Sequence, residues 1–457
     1  MVISRWLLLL VTYTCAFVAA AGQQVKLSLV EAFQRVEINL PQLESYRQQA
    51  LAAKENIDLV KNSLVPDVNA GYQLNLATFN NITGMSYPGL LLPVSGPPSA
   101  NNNMNFVPGS VVGALAKWNP ITFGQRNAAI EKASAIFKQA NAVYNEQLFR
   151  YQYITLNTYL EAVYIKQVMH SIEAGIARNN TALIQAHVLA NTGLKPGIDT
   201  TQFQAAIAQG NIDFLQAEKT YLQNITELCN LTGLAQAAEN VLLTDTTFSS
   251  GVFMIEDTVN AANHPFYETL AAQQAATASA LQEVQKSWVP RLDFWGNLYA
   301  RASGVGANGN INKTDGLKFS RTNAGIGLQL SFPLLQYSTL RIQKKQYVFL
   351  LKAGEARLKQ AARDIRQQTE SALLQYRQDL KIATGTPLLL KSAHDVYSDL
   401  SISYEAGLID YTRLAQAQYD LVKAELGNAG AQLSLWRSLL AVAVAKGNLT
   451  IFLSQLK

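Results

Sequence analysis

The feature that most constrains this chain is a duplication. Asn39, Pro41 and Val65-Pro66 recur as Asn263, Pro265 and Val289-Pro290, every landmark shifted by the same 224 positions. Pro120 recurs as Pro333, Gly193-Leu194 as Gly407-Leu408, and Asp199 as Asp410. Self-similarity over so long a period means that one supersecondary unit is used twice. The halves run over about 22–240 and 255–457.

Each half repeats one order of elements. A helix precedes Val65-Pro66 in the first half and covers 265–288 in the second. Strands are expected at about 67–77 and 109–119 around a polar loop at 78–108, and at about 291–301 and 322–332 around a loop at 302–321. Long helices then cover about 121–192 and 336–406, and returning helices about 199–233 and 410–446. The segment 121–195 contains no proline. Unbroken, a helix of that length would extend on the order of 110 Å, at about 1.5 Å per residue. A single amphipathic helix of that reach needs neighbours, so the helices are expected to pack side by side in coiled-coil fashion. Gly385-Thr386-Pro387 should break the second long helix, because proline removes a backbone donor.

The strands alternate strictly. Asp67, Asn69, Gly71, Gln73 and Asn75 share one face, and Val68, Ala70, Tyr72, Leu74 and Leu76 the other. Leu292, Phe294, Gly296, Leu298 and Ala300 alternate with Arg291, Asp293, Trp295, Asn297 and Tyr299. Period two over about ten residues suits a barrel with lipid outside and water inside. It also suits the edge of a soluble sandwich. Four strands fall short of the eight or so that the smallest transmembrane barrel needs. Open edges in a bilayer leave backbone groups unpaired. The strands are therefore soluble, or they close between subunits.

The N-terminus favours closure. Met1 to Arg5 are a short basic start, Trp6 to Ala21 an apolar run ending in Ala19-Ala20-Ala21, and residues 1–21 read as a signal peptide. Cys15 lacks the residues of a lipid-attachment box, and Cys229 is then the one cysteine of the mature chain, expected as a buried small hydrophobe. Lys and Arg number 37 against 32 Asp and Glu, with no basic cluster, which argues against a nucleic-acid partner. No phosphate loop, His-Glu-x-x-His or paired-cysteine spacing is present, and the four histidines have no ligand spacing. No enzyme, metal site or cofactor is expected.

Across 27–449 the chain resembles the TolC family of outer-membrane efflux factors. The resemblance rests on the duplicated order of elements, on Tyr404-Glu405-Ala406-Gly407 before the second reversal, and on Gly193-Leu194 at the first. It implies a membrane α/β fold. Each subunit of a homotrimer would give four strands to a twelve-stranded outer-membrane β-barrel, continued by a long periplasmic α-helical tunnel. It implies a passive exit channel of a tripartite efflux system for drugs or other small molecules. A periplasmic adapter (membrane fusion) protein would connect it to an inner-membrane pump of RND or ABC type. A duct for type I protein secretion, or for heavy-metal efflux, would use the same architecture. A secreted coiled-coil protein without a pore is the reading outside this class. Val68, Tyr72, Leu74, Leu292, Phe294 and Leu298 would face lipid.

The helix reversals are where such a channel would be gated. Asp199 and Asp410 are placed to cap the returning helices. Under three-fold symmetry each would also form a ring of three carboxylates. The resemblance puts Asp199 and Tyr404 where the family holds its entrance shut, and Asp410 at the narrowest ring. The chain departs from the family in its shorter second turn, in the absence of a basic residue at Leu408 or Ile409, and in having Arg413 where relatives carry a second acid. Lys195 and Arg413 are the replacement donors, and Asp410 with Arg413 would make a favourable i,i+3 pair. Gly193, Leu194, Ile198, Gly407, Leu408 and Ile409 form the reversal tips, as adapter contacts or as packing within the trimer.

Overall fold

The computed structural model describes residues 24–81, 98–235, 237–245 and 260–456. The expected signal peptide at 1–21, with Cys15, lies outside the described residues, as does most of the first loop with Leu90-Leu91-Leu92. In chain order the elements are β1 (Val25–Leu27), α1 (Leu29–Asn39), α2 (Pro41–Asn62), β2 (Asp67–Thr78), β3 (Phe106–Ile121), α3 (Gln125–Asn191), α4 (Ile198–Thr232) and β4 (Val241–Leu243). The second half follows with α5 (Pro265–Lys286), β5 (Arg291–Ser303), β6 (Arg321–Ser331), α6 (Tyr337–Glu405), α7 (Tyr411–Ala445) and α8 (Thr450–Leu453). The run α2, β2, β3, α3, α4 is followed in the second half by α5, β5, β6, α6, α7 in the same order. No helix among the described residues is long and apolar enough to cross a membrane.

The chain divides into two compact units. The first comprises the described parts of 1–51, 138–273 and 354–457 and is helical apart from the short parallel pair β1–β4. Its core draws Leu156, Tyr159, Leu160 and Val163 from α3, Ile225, Leu228 and Cys229 from α4, and Leu435, Trp436, Leu439 and Val442 from α7. Alanines at 429, 431, 443 and 445 let α7 approach its neighbours closely. Cys229 is buried as expected, and burial pushes its thiol up. Asp245 ties the short strands to the bundle. Its Oδ2 accepts the Leu29 amide at 2.8 Å and lies 2.9 Å from the Tyr159 hydroxyl, which is also 2.9 Å from the Leu27 carbonyl.

The second unit, 52–137 with 274–353, holds a four-stranded antiparallel sheet in the order β2-β3-β5-β6. The register brings the apolar sets of all four strands onto one face. Tyr72 pairs with Val112, which pairs with Ala300, while Leu298 pairs with Ala324 and Phe294 with Leu328. The other face collects Asn69, Gln73, Asn297, Tyr299, Asn323 and Gln329. β3 runs longer than expected, from Phe106 to Ile121. The turn into α3 follows at Phe123 (φ 48°) and Gly124 (φ 93°), so that helix starts at Gln125. Trp118 donates its indole N–H to the Leu64 carbonyl at 2.8 Å, and Arg126 gathers the Ser63, Asn119 and Pro120 carbonyls around the strand–helix junction.

Two expectations need correction. α6 runs without a break through Pro387. The proline leaves the Ala383 carbonyl without its amide donor, and Thr386 Oγ1 lies 3.4 Å from that carbonyl and 3.0 Å from Asn428 Oδ1 on α7. A neighbouring hydroxyl can re-satisfy the freed group, which lets the helix continue. The second loop is also more ordered than a plain connection. β5 extends to Ser303, Val305 bridges Ile311, and residues 313–317 form a 3-10 helix. That helix packs back on β3: Ser110 Oγ donates to the Gly316 carbonyl at 2.8 Å, and a Cβ at Gly316 would sit 2.2 Å from the Pro108 carbonyl oxygen.

Candidate functional site

Both long helices end in the same way. Gly193 and Gly407 take left-handed φ values of 75° and 74°. The Leu194 amide reaches back to the Leu189 carbonyl at 3.0 Å and the Gly193 amide to Ala190 at 3.1 Å. Leu408 and Gly407 do the same with Ser403 and Tyr404, both at 2.9 Å. This six-to-one, five-to-two pattern stops a helix where a Cβ-free residue can turn left-handed. The outcome is two tips with Leu194 (69% exposed), Ile198 (63%) and Leu408 (77%) held in solvent. Ile409 differs from the other tip residues: it is half-buried against the cluster beneath.

That cluster joins the two reversals. Ala182, Ala186 and Leu189 of α3, Phe203 of α4, Tyr404 of α6 and Leu414 of α7 bury one another, with Tyr397 and Tyr411 at the margin. The Phe203 ring meets Tyr411 edge-on at 4.8 Å and Tyr404 at 6.0 Å. Tyr404 is fully buried, and its hydroxyl donates to Asp199 Oδ2 at 2.9 Å. Burial first, and then the bond to Asp199, push the Tyr404 phenol well above the ordinary tyrosine range. Burial and the Asp199 charge also raise Tyr411.

Asp199 is not the cap expected of it. It lies inside α4, 6% exposed, with Gly197 at the cap position and no side-chain cap bond there. Asp410 is the helix cap: its Oδ1 accepts the Arg413 amide at 3.1 Å. The contact between Asp410 and Arg413 is therefore carboxylate to backbone rather than the side-chain pair expected, and the Arg413 side chain is exposed. Lys195 crosses between the reversals. Its Nζ donates to the Ile409 carbonyl at 2.6 Å and lies 5.8 Å from the centre of the Tyr404 ring. The structure thus brings Asp199, Tyr404, Lys195 and Ile409 together and leaves Asp410 and Arg413 outside that group.

Sequence reasoning missed the ties behind this cluster. Arg178 clasps Glu425 in two parallel bonds of 2.9 and 3.0 Å and lies 5.8 Å from the Tyr397 ring centre. Gln185 bonds Glu405. Arg178 and Glu425 are 247 residues apart, beyond any spacing rule, so only the packed helices pair them.

On the sheet, Val68, Tyr72, Leu74, Leu292, Phe294 and Leu298 all lie on the apolar face. Val68, Tyr72, Leu74 and Leu298 are 55–63% exposed. Trp295 lies on the polar face, where its indole covers Gly327 and Gly325, its partner and that partner's next neighbour on the same face of β6. β2 and β6 are the sheet's two edges.

The family model described as "Outer membrane efflux protein" matches residues 258–448. No curated protein sequence matches the chain significantly. Several solved structures share the fold. The outer membrane protein VceC of Vibrio cholerae superposes with a TM-score of 0.71 at 13% identity, over 92% of this chain and 96% of that one. The Campylobacter jejuni CmeC outer membrane channel gives 0.70 at 12% identity, over 92% and 85%. The open state of the Neisseria gonorrhoeae MtrE outer membrane channel gives 0.69 at 13% identity, over 92% and 89%. In the order of its elements, in fold over nearly its whole length and in the family match of its second half, this chain resembles the TolC-like outer-membrane efflux channels.

Proposed function

We propose that the chain is one subunit of a passive outer-membrane exit channel, working with a periplasmic adapter and an inner-membrane pump to export small molecules. The observation that carries this is the sheet. Its apolar face is exposed across all four strands, and its polar face is uncharged through the middle rows. Its two edges run antiparallel to each other, so β6 of one copy can continue onto β2 of the next. Three copies would close a barrel with every backbone group paired, which a bilayer demands. Val68, Tyr72, Leu74, Leu292, Phe294 and Leu298 would then face lipid.

In this reading the reversals form the entrance. The bonds from Tyr404 to Asp199 and from Lys195 to Ile409 tie one hairpin to the other within a subunit. Asp410, exposed at the start of α7, supplies a carboxylate that three-fold symmetry would bring into a ring. Such rings attract cations at close quarters. Leu194, Ile198 and Leu408 offer an apolar rim to the adapter. The channel itself needs a path and a gate, and no bond-making step is asked of it.

The test is the purified protein, its mass measured in detergent and its conductance in planar bilayers. A trimeric species that conducts, and whose block by divalent cations from the helix side weakens in Asp410→Ala, supports the reading. A monomer recovered in the soluble periplasm, or a trimer that inserts without conducting, overturns it.

A further inference from the structure

The polar face of the sheet carries charge only at its two ends. At the helix end Asp67 lies opposite Lys117, and Arg291 and Asp293 follow each other on β5, two acids against two bases. At the loop end Arg301 and Arg321 are direct register partners, both exposed. Like charges directly opposite in an antiparallel pair repel and destabilise it. Among the described residues neither guanidinium is paired with a carboxylate. The connections offer little neutralisation. Residues 79–105 contain no Asp or Glu at all. Residues 304–320 carry exposed Lys313 and Lys318 against the single acid Asp315. The loop end of each chain thus holds four basic residues and one acidic one.

We propose that Arg301 and Arg321 form an anion-binding ring at the loop-side mouth of the lumen, favouring the exit of cargo that bears phosphate or carboxylate groups. The proposal rests on the channel reading above. An unpaired basic pair is tolerated where its partner is a ligand rather than a residue, and guanidinium pairs hold such anions through charge-assisted bonds. Their place on the polar face assigns them to the lumen rather than to the lipid boundary.

Inorganic pyrophosphate is the probe, used in bilayers of neutral lipid. Added on the loop side it should reduce conductance, and the double variant Arg301→Gln, Arg321→Gln should need about tenfold more for the same block, as expected on losing charge-assisted contacts. The Lys313→Gln, Lys318→Gln variant should keep most of the block. Arg321→Glu gives Arg301 a partner, so it should abolish the block while holding or raising the temperature at which the assembly dissociates. A block unchanged by the double Arg variant overturns the ring, as does a drop in thermal stability in Arg321→Glu. Anionic lipid retained by the native protein and lost from the double Arg variant, without any pyrophosphate block, would move these arginines to the lipid boundary and overturn the lumen assignment. Failure of the native protein to conduct at all would overturn the channel reading itself, a result separate from a conducting channel whose block ignores the arginines.

Discussion

Asp199 and Asp410 occupy matching places in the two halves, yet one caps a helix and the other latches two helices together. The difference lies in turn length. After Gly407 the chain reaches Asp410 in extended conformation (φ −85°, ψ 167°), directly before α7. After Gly193 it has three residues more, and Pro196 already begins a turn that accepts the Asp199 amide. Asp199 is carried one step into α4 and turns inward to Tyr404. Removing the Tyr404 hydroxyl leaves a buried acceptor without its donor, which costs roughly 1–3 kcal/mol. Tyr404→Phe should therefore lower stability by about 2 kcal/mol and raise resting conductance, whereas Tyr411→Phe, whose ring only flanks the cluster, should do neither. Denaturant unfolding and bilayer recording on the two variants check this, and equal behaviour would remove Tyr404 from the latch. His264 supplies a pH dependence. It is buried, its Nδ1 accepts the Phe266 amide at 3.2 Å, and its Nε2 faces the Val444 carbonyl at 3.2 Å, an arrangement that needs the neutral ring. Burial lowers its pKa from the ordinary 6.5. An unfolded chain therefore takes up the proton first as the pH falls, so this stabilisation is complete above about 6.5 and is lost as the pH falls toward the lower folded value. Thermal unfolding should show a loss as the pH falls below about 6.5 that His264→Gln reduces; an identical pH profile in the variant would exclude His264 as the source.

At the scale of elements, legibility followed how local the cause was. β2 could be read almost to its ends, because strict alternation of Asn, Gln and Asp with Val, Tyr and Leu needs only the strand itself. The caps at Gly193 and Gly407 were equally readable, since left-handed φ is a property of the residue. What could not be read was set across the chain. Pro387 marks a break by every local rule, yet α6 continues, with the Thr386 hydroxyl 3.4 Å from the freed Ala383 carbonyl and 3.0 Å from Asn428 Oδ1 on α7. The 3-10 helix at 313–317 exists against Pro108 and Ser110, two hundred residues away in sequence. Among the candidate site residues, the place of Asp199 and Tyr404 was carried by resemblance, while the engagement of Lys195 with Ile409 needed the packed tips. Trp295 likewise owes its placement to the neighbouring strand. Its partner is Gly327, and a Cβ there would come within 2.6 Å of the indole. The glycine lets the ring lie along the sheet rather than stand up from it. Gly327→Ala should push the indole into the lumen and reduce conductance, and adding Trp295→Ala should restore it. Single-channel recording, with tryptophan fluorescence quenched by a water-soluble agent, would follow both effects. Normal conductance in Gly327→Ala would mean that the ring finds another resting place.

For the whole molecule, the decisive quantity is the state of the two outer strand edges. Within one chain β3 and β5 are paired on both sides, while β2 and β6 each have one neighbour. Along 67–78 and 321–331 every second backbone group therefore points away from the sheet. Each such group left unpaired in hydrocarbon costs several kcal/mol, so a lone four-stranded sheet has no stable place in a bilayer. The apolar side chains exposed on one face, Val68, Tyr72, Leu298 and Leu328 among them, disfavour leaving it in water, since exposed apolar surface drives association. In the proposed barrel both demands would be met at once by β6 pairing with β2 of another copy, and assembly and insertion would then be one event. Hydrogen exchange of the reconstituted protein reads this directly. Peptides covering 67–78 and 321–331 should be protected as strongly as those covering 106–121 and 291–303. Disrupting the assembly should release the two edge peptides first, because they alone depend on a neighbour. Fast exchange confined to the edges in the intact assembly would mean that the sheet remains open, and the barrel would then have to be abandoned, whatever the helices resemble.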